Sequence, residues 1–184
     1  MVHHVYRVAL PSSHVGQCGA WWYRTPFYAT QYMFLGTTTL SLDAKGRIAI
    51  PARYRARLEE LCAGKLVITY NPLDKCLPIY PYDEWLECER KMEAVEDQSD
   101  QFRDFQRLLY SYTNEIDMDS NGRVLIPQSS REEIGLEKSV LIGHGKKFEL
   151  WSEERWLQTR EKGGKQLIES LKSRTERLHI GFRL

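Results

Sequence analysis

Leu40-Ser41-Leu42-Asp43-Ala44-Lys45-Gly46-Arg47-Ile48-Ala49-Ile50-Pro51 recurs 76 residues further on as Ile116-Asp117-Met118-Asp119-Ser120-Asn121-Gly122-Arg123-Val124-Leu125-Ile126-Pro127. Asp, Gly, Arg, Ile and Pro match in type and place, and five such identities arise by chance in about one register in a million. Leu40 and Leu42 share one face of an extended segment, and Ile48 and Ile50 share one face of the next, the period of two of a half-buried strand. Between them, Asp at the head of the turn and Gly at its fourth position predict a type I turn closed by a glycine at positive φ. Asp43, Gly46, Asp119 and Gly122 are therefore structural turn residues.

The likeness continues downstream. Leu66-Val67-Ile68 answers to Val140-Leu141-Ile142, and Trp85-Leu86 to Trp156-Leu157. Each copy reads as strand, tight turn, strand, short helix, strand, strand. Pro51 and Pro127 end a strand, because proline has no N–H to donate, and each suits the start of a helix. The first such helix buries Tyr54, Leu58, Leu61 and Cys62 and turns Arg53 and Arg57 outward, while in the second copy Gly135 stops the helix after Ile134. Asp83 is the expected N-cap of a helix burying Trp85, Leu86 and Met92, and Phe102, Phe105, Leu109 and Tyr112 form the stripe of another. Ser152 heads a third, which Gly163-Gly164 breaks before a tail carrying Leu167, Ile168, Leu171 and Leu178.

This divides the chain into an extension without structure of its own (1–32), a first repeat (36–86), an acidic helical connector (87–111), a second repeat (112–157) and a helical tail (158–184). Repeats of about 50 residues are marginal alone, so the two should pack on each other. The expected fold class is mixed α+β and β-rich, with paired hairpins about a pseudo-two-fold axis.

The 184 residues are 42% apolar, which allows a core and excludes disorder throughout. Lys plus Arg number 26 against 25 Asp plus Glu, a net charge of +1, so any anion binding must be local. No apolar run approaches the roughly 18 to 20 residues of a membrane span. Cys18, Cys62, Cys76 and Cys88 show no C-x-x-C pair or zinc spacing and read as buried free thiols in a reducing cytosol. Residues 1–32 hold two Arg, no acid, three of the five His and seven aromatics, and lack the apolar centre of an export signal. Met33-Phe34-Leu35-Gly36 leads straight into patterned sequence, which makes Met33 the expected working start.

Charge is unevenly placed. Residues 33–57 carry Lys45, Arg47, Arg53, Arg55 and Arg57 against Asp43, a net of +4, whereas 113–131 sum to −1 and 83–106 to −6. Lys45 lies in the turn, and Arg47 points away from the face of Ile48 and Ile50. A guanidinium so placed can reach phosphate oxygens or a guanine edge in a major groove wide enough for a two-stranded ribbon. The candidate DNA-contacting residues are Lys45, Arg47, Arg53, Arg55 and Arg123, with Arg131 as an inert comparison. The competing reading pairs each Asp with the Arg four residues on as a structural salt bridge. The salt bridge is preferred for Arg123, in its acidic setting, and the DNA contact for Arg47.

Met33-Phe34-Leu35-Gly36 with Asp43-Ala44-Lys45-Gly46-Arg47 and Asp119-Ser120-Asn121-Gly122-Arg123 resembles the MraZ family of bacterial transcriptional regulators. The family signature is a duplicated Asp-x-x-x-Arg motif in a fold similar to the AbrB-type swapped-hairpin barrel, and the likeness covers about residues 33 to 160. The resemblance implies a cytoplasmic, nucleoid-associated protein without cofactor or catalytic residue that binds double-stranded DNA sequence-specifically. It implies action on short repeated elements at the promoter of a division and cell-wall gene cluster that includes its own gene, and a ring-shaped homo-oligomer. By position, Arg47 and Lys45 would be DNA contacts and Arg123 the equivalent residue of the second copy. A ring that presents one hairpin many times gains avidity when sites recur in phase with the helix.

Enzyme readings find little support. Gly143-His144-Gly145 is too short for a dinucleotide loop and lacks its third glycine, and nothing brings His144 to Cys88 as a base–nucleophile pair. The alternative is an AbrB-like protein-interaction or antitoxin-type module, but antitoxins place one hairpin unit before a binding tail, and here there are two. Intact-mass measurement on protein from its native source should give a chain beginning at Met33; a mature chain beginning at Met1 would contradict that start.

Overall fold

The computed structural model describes residues 33–96 and 99–164. The expected extension 1–32, with Cys18, and the apolar stripe of the tail beyond 164 lie outside the described residues.

The first repeat supplies β1 (Phe34–Ser41), β2 (Arg47–Ala49), α1 (Ala52–Cys62), β3 (Lys65–Ile68), β4 (Leu77–Pro81) and α2 (Tyr82–Glu93). After α3 (Asp100–Ser111), the second gives β5 (Asn114–Asp117), β6 (Arg123–Leu125), α4 (Gln128–Glu133), β7 (Lys138–Gly145) and β8 (Lys147–Ser152). A further helix, α5, occupies 153–164. β5 is half the length of β1 because the residues ahead of it belong to α3.

Antiparallel pairing builds a six-stranded sheet in the order β1-β7-β8-β4-β3-β5, and β2 and β6 form a separate two-stranded ribbon. The order interleaves the repeats. The first strand of each pairs with the third strand of the other, β1 with β7 and β5 with β3, and β4 meets β8 at the centre. Ile48 faces Val124 across the ribbon; these are equivalent positions of the duplication, so a pseudo-two-fold axis passes between them. Two further bonds obey the same axis, Ile50 N–H to the Gly122 carbonyl (2.8 Å) and Ile126 N–H to the Gly46 carbonyl (3.1 Å).

The barrel expected from the sequence does not close. The sheet is open, with β1 and β5 at its edges. Pro51 and Pro127 supply a reason: lacking an N–H, each stops its strand after three residues, and the chain turns into a helix instead of extending the ribbon.

Ile48, Ile50, Val124 and Ile126 are fully buried beneath the ribbon. Phe34, Tyr54 and Phe148 pack as an aromatic cluster with ring centroids 4.2 to 5.7 Å apart, and the Tyr54 hydroxyl donates to the Leu35 carbonyl, tying α1 to β1. Gly143 makes room for this edge: a Cβ there would stand 2.5 Å from the Leu35 nitrogen, so Gly143-His144-Gly145 serves the β1–β7 contact.

The helices differ from expectation in detail. On α1, Tyr54 and Leu58 are buried while Leu61 and Cys62 are only partly so. The α2 cap is Pro81, with Asp83 inside the first turn. Trp85 takes the inward position there, which leaves Leu86 facing out. The α3 stripe is only partly covered, and Phe105 is exposed. Gly163 and Gly164 remain helical, since a glycine costs a helix only about 1 kcal/mol relative to alanine.

Ile48→Ala, at the axis, should lower stability by about 2 to 5 kcal/mol, read as the shift of the urea unfolding midpoint. Leu125→Ala, which installs the residue found at the equivalent position 49 on an exposed site, should change it by less than about 0.5 kcal/mol.

Candidate nucleic-acid interface

The two turns are built alike. In the first, the Gly46 N–H donates to the Asp43 carbonyl and the Asp43 N–H to the Arg47 carbonyl, both at 2.9 Å. Asp43 Oδ1 accepts from the backbone N–H groups of Lys45 (2.9 Å) and Arg47 (3.0 Å). Its Oδ2 accepts from Arg47 Nε at 2.8 Å and lies 2.7 Å from Nη2. In the second, Asp119 Oδ1 accepts from Asn121 and Arg123 N–H at 2.9 Å, and Oδ2 takes Arg123 Nε at 2.9 Å and Nη2 at 2.8 Å. Gly46 and Gly122 close the turns at φ of 78° and 74°, a conformation in which a Cβ is strained.

Strand alternation then sets the faces. Ile48 and Val124 point inward; Ala49 and Leu125 are exposed, and Arg47 and Arg123 are half-exposed beside them. Arg47 also reaches across the ribbon, with Nη1 3.9 Å from Asp119 Oδ2. Asp43, Arg47, Asp119 and Arg123 thus form one chain of charges along the outer face. The salt bridge preferred for Arg123 is present in both copies, so Arg47 is held by its aspartate as Arg123 is. A guanidinium offers five N–H donors, and the bonds to one carboxylate leave others available at the surface.

The remaining candidates separate. Lys45 is exposed at the tip. Arg53 is exposed on α1, with Nη2 3.0 Å from Thr38 Oγ1 and its guanidinium over the Tyr54 ring. Arg57 donates to the Met33 carbonyl at 2.7 Å, so both arginines run along β1. Arg55 lies inward, donating from Nε to the Ile50 carbonyl at 2.7 Å, and its side chain covers Gly122. Arg131 does the same in the second repeat, donating to the Ile126 carbonyl at 3.1 Å and covering Gly46. It touches the first turn and is therefore no inert comparison. Sequence reasoning also passed over Leu125, whose spacing of two from Arg123 places it on the outward face, directly opposite Arg47.

The charges of the turn are reflected in its acids. Asp43 is pulled down to about 2, chiefly by the side-chain hydrogen bond from Arg47 and then by the Arg47 backbone N–H. Asp119 is lowered by the same two bonds from Arg123. Elsewhere, burial pushes the Cys76 thiol up to about 12 and raises Cys62 and Cys88, which disfavours the reactive thiolate. His144 Nδ1 lies 2.8 Å from Glu149 Oε1. Among the described residues no group of three or more His, Cys, Asp or Glu is placed to hold a metal ion, and no helix is long and apolar enough to cross a membrane.

The model of the MraZ protein family, described as antitoxin-like, matches this chain twice, over residues 33–108 and 109–178. The chain belongs to the MraZ family. A protein of Halorhodospira halophila named transcriptional regulator MraZ is 49% identical over 129 residues, 70% of this chain and 85% of that relative. Its namesakes from Nitrosospira multiformis and Saccharophagus degradans are 49% and 46% identical over 125 residues, covering 67% of this chain and 84% and 85% of theirs. These MraZ relatives are named for regulation, not for catalysis, in keeping with the non-enzymatic reading of the sequence.

The lowered acids give a pH signature. A carboxyl group whose folded pKa is depressed stabilises the fold above its unfolded pKa and stops doing so as pH falls through the folded value. Asp43→Asn should therefore lower the unfolding midpoint at pH 7, and the gap from wild type should shrink below about pH 4 and vanish near pH 2. A gap that stays constant over that range, followed by chemical denaturation, would contradict the assignment.

Proposed function

We propose that this protein regulates transcription by binding double-stranded DNA with the outward face of the β2–β6 ribbon. The observation that carries the reading is that both motif arginines emerge on that one face, each oriented by its own aspartate, with Lys45 beside the first. A two-stranded ribbon fits a major groove, where a guanidinium pairs bidentately with guanine and an apolar side chain such as Leu125 can meet a thymine methyl group. Arg47 and Lys45 are the principal contacts in this reading, Arg53 reaches the flanking backbone, and Arg123 occupies the equivalent place. Arg55 is turned inward and acts on the site indirectly.

Family membership supports extending the proposal to sequence-specific binding at repeated elements, in the promoter of the division and cell-wall gene cluster containing its own gene. It likewise supports a ring-shaped homo-oligomer in the cytoplasm, associated with the nucleoid. The exchange of first strands between the repeats is read as the AbrB-like swapped hairpin. Repeated ribbons on one assembly would engage repeated sites at high effective concentration.

Gel-shift titration with the DNA just upstream of this protein's gene, at two salt concentrations, tests the reading. Affinity should fall steeply with salt, by a log–log slope of about 0.9 per phosphate neutralised. Arg47→Ala should weaken binding by about ten- to a hundredfold, whereas Arg103→Ala, on the exposed face of α3 beside Asp100, should leave it unchanged. Equal affinity for scrambled DNA of the same length would count against specific regulation, and capture of a protein ligand in place of DNA would favour the interaction-module reading.

A further inference from the structure

Arg55 and Arg131 stand 76 residues apart, at the same place in the two repeats, yet the helices that carry them have little else in common. Across the six aligned positions 52–57 and 128–133, Ala-Arg-Tyr-Arg-Ala-Arg against Gln-Ser-Ser-Arg-Glu-Glu, this arginine is the only identity. The helices also differ in length, at 11 and 6 residues. What the pair shares is a geometry. Each Nε donates to the carbonyl five residues back, Ile50 at 2.7 Å or Ile126 at 3.1 Å. Each side chain then lies against the turn glycine of the other repeat: a Cβ on Gly122 would stand 2.2 Å from Arg55 Nε, and one on Gly46 would stand 2.6 Å from Arg131 Cζ.

The same two isoleucines close the arrangement. Ile50 donates its N–H to the Gly122 carbonyl while its own carbonyl receives Arg55, and Ile126 does so with Gly46 and Arg131. Strand end, opposite turn and helix arginine therefore form a closed three-way contact, twice, across the pseudo-two-fold axis. A planar guanidinium fits the space over a residue with no side chain; a lysine ammonium on a flexible stem does not fill it with the same donor geometry.

We infer that Arg131 positions the Asp43–Gly46 turn of the first repeat, and Arg55 the Asp119–Gly122 turn of the second, so that each repeat's helix sets the ribbon tip of its partner. The inference rests on the ribbon's being the DNA-binding surface only for its consequence on binding; the crossed contact stands on its own. Arg131 is a positioning residue, acting on DNA through Lys45 and Arg47. It ties the second repeat, acidic around its own turn, to the shape of the basic tip.

Hydrogen exchange read on peptides spanning 43–47 and 119–123 tests it in the full-length protein. Arg131→Lys should speed exchange about tenfold in 43–47 and leave 119–123 as in wild type; Arg55→Lys should do the reverse. Arg131→Gln, shorter and uncharged, should repeat the first pattern and serves if the lysine variant does not fold. On the upstream DNA fragment, Arg131→Lys and Arg131→Gln should both lower affinity several-fold with the salt slope unchanged, whereas loss of a phosphate contact would reduce the slope of the uncharged glutamine variant by about 0.9. Equal changes in both turns, no change in either, or full rescue by lysine overturns the inference, as does crossed exchange with undiminished DNA affinity. If wild-type protein shows no binding to the fragment, the DNA reading fails, and the exchange result alone decides whether the crossed contact holds.

Discussion

Everything at the ribbon depends on one carboxylate per turn. Asp43 accepts two backbone N–H groups with one oxygen and its own strand's guanidinium with the other. The first pair of bonds shapes the turn, and the second points Arg47 along the outer face. One short acidic side chain thus does the folding and the orienting together, which is why the acid sits four residues before the arginine in both copies. Charge-assisted bonds of this kind are shorter and stronger than neutral ones, and they hold the arginine in place before any partner arrives. Arranging a long side chain in advance removes part of the entropy that binding would otherwise cost.

The duplication is symmetric in backbone and asymmetric in chemistry. Ile48 and Val124 meet at the axis, and both turns have the same bonds. The first repeat, however, carries Lys45 in its turn and Arg53 and Arg57 along β1, while Glu115 and Asp117 lead into the second turn. Arg47 extends to both aspartates, Arg123 to one. In the proposed function the second repeat therefore serves more as the support of the first ribbon arm than as its equal, supplying β6, Asp119 and the covering Arg131.

Local features were legible in the sequence because local chemistry decides them. The period of two at Leu40–Leu42 and Ile48–Ile50, the glycines at positive φ and the strand-ending prolines needed no knowledge of the rest of the chain. The pairing of β1 and β5 with strands of the other repeat came only from the family resemblance, since alternation tells which face is buried and not which strand lies alongside. The same limit hid the link from Arg47 to Asp119, which follows from the β2–β6 register. Helical periodicity turns Arg53 outward, as found, but only the contact across the axis reveals that Arg55, grouped with it as a DNA contact, faces the opposite turn. Gly143 illustrates the converse: a glycine pair suggestive of a loop proves to be space for a neighbouring strand.

The most direct test is a structure of the protein bound to a fragment of the DNA upstream of its gene. The account predicts the β2–β6 ribbon seated in a groove, with the Arg47 guanidinium within hydrogen-bonding distance of a base edge or phosphate. A complex in which the duplex lies against another surface, with Arg47 engaged only by Asp43 and Asp119, would contradict it.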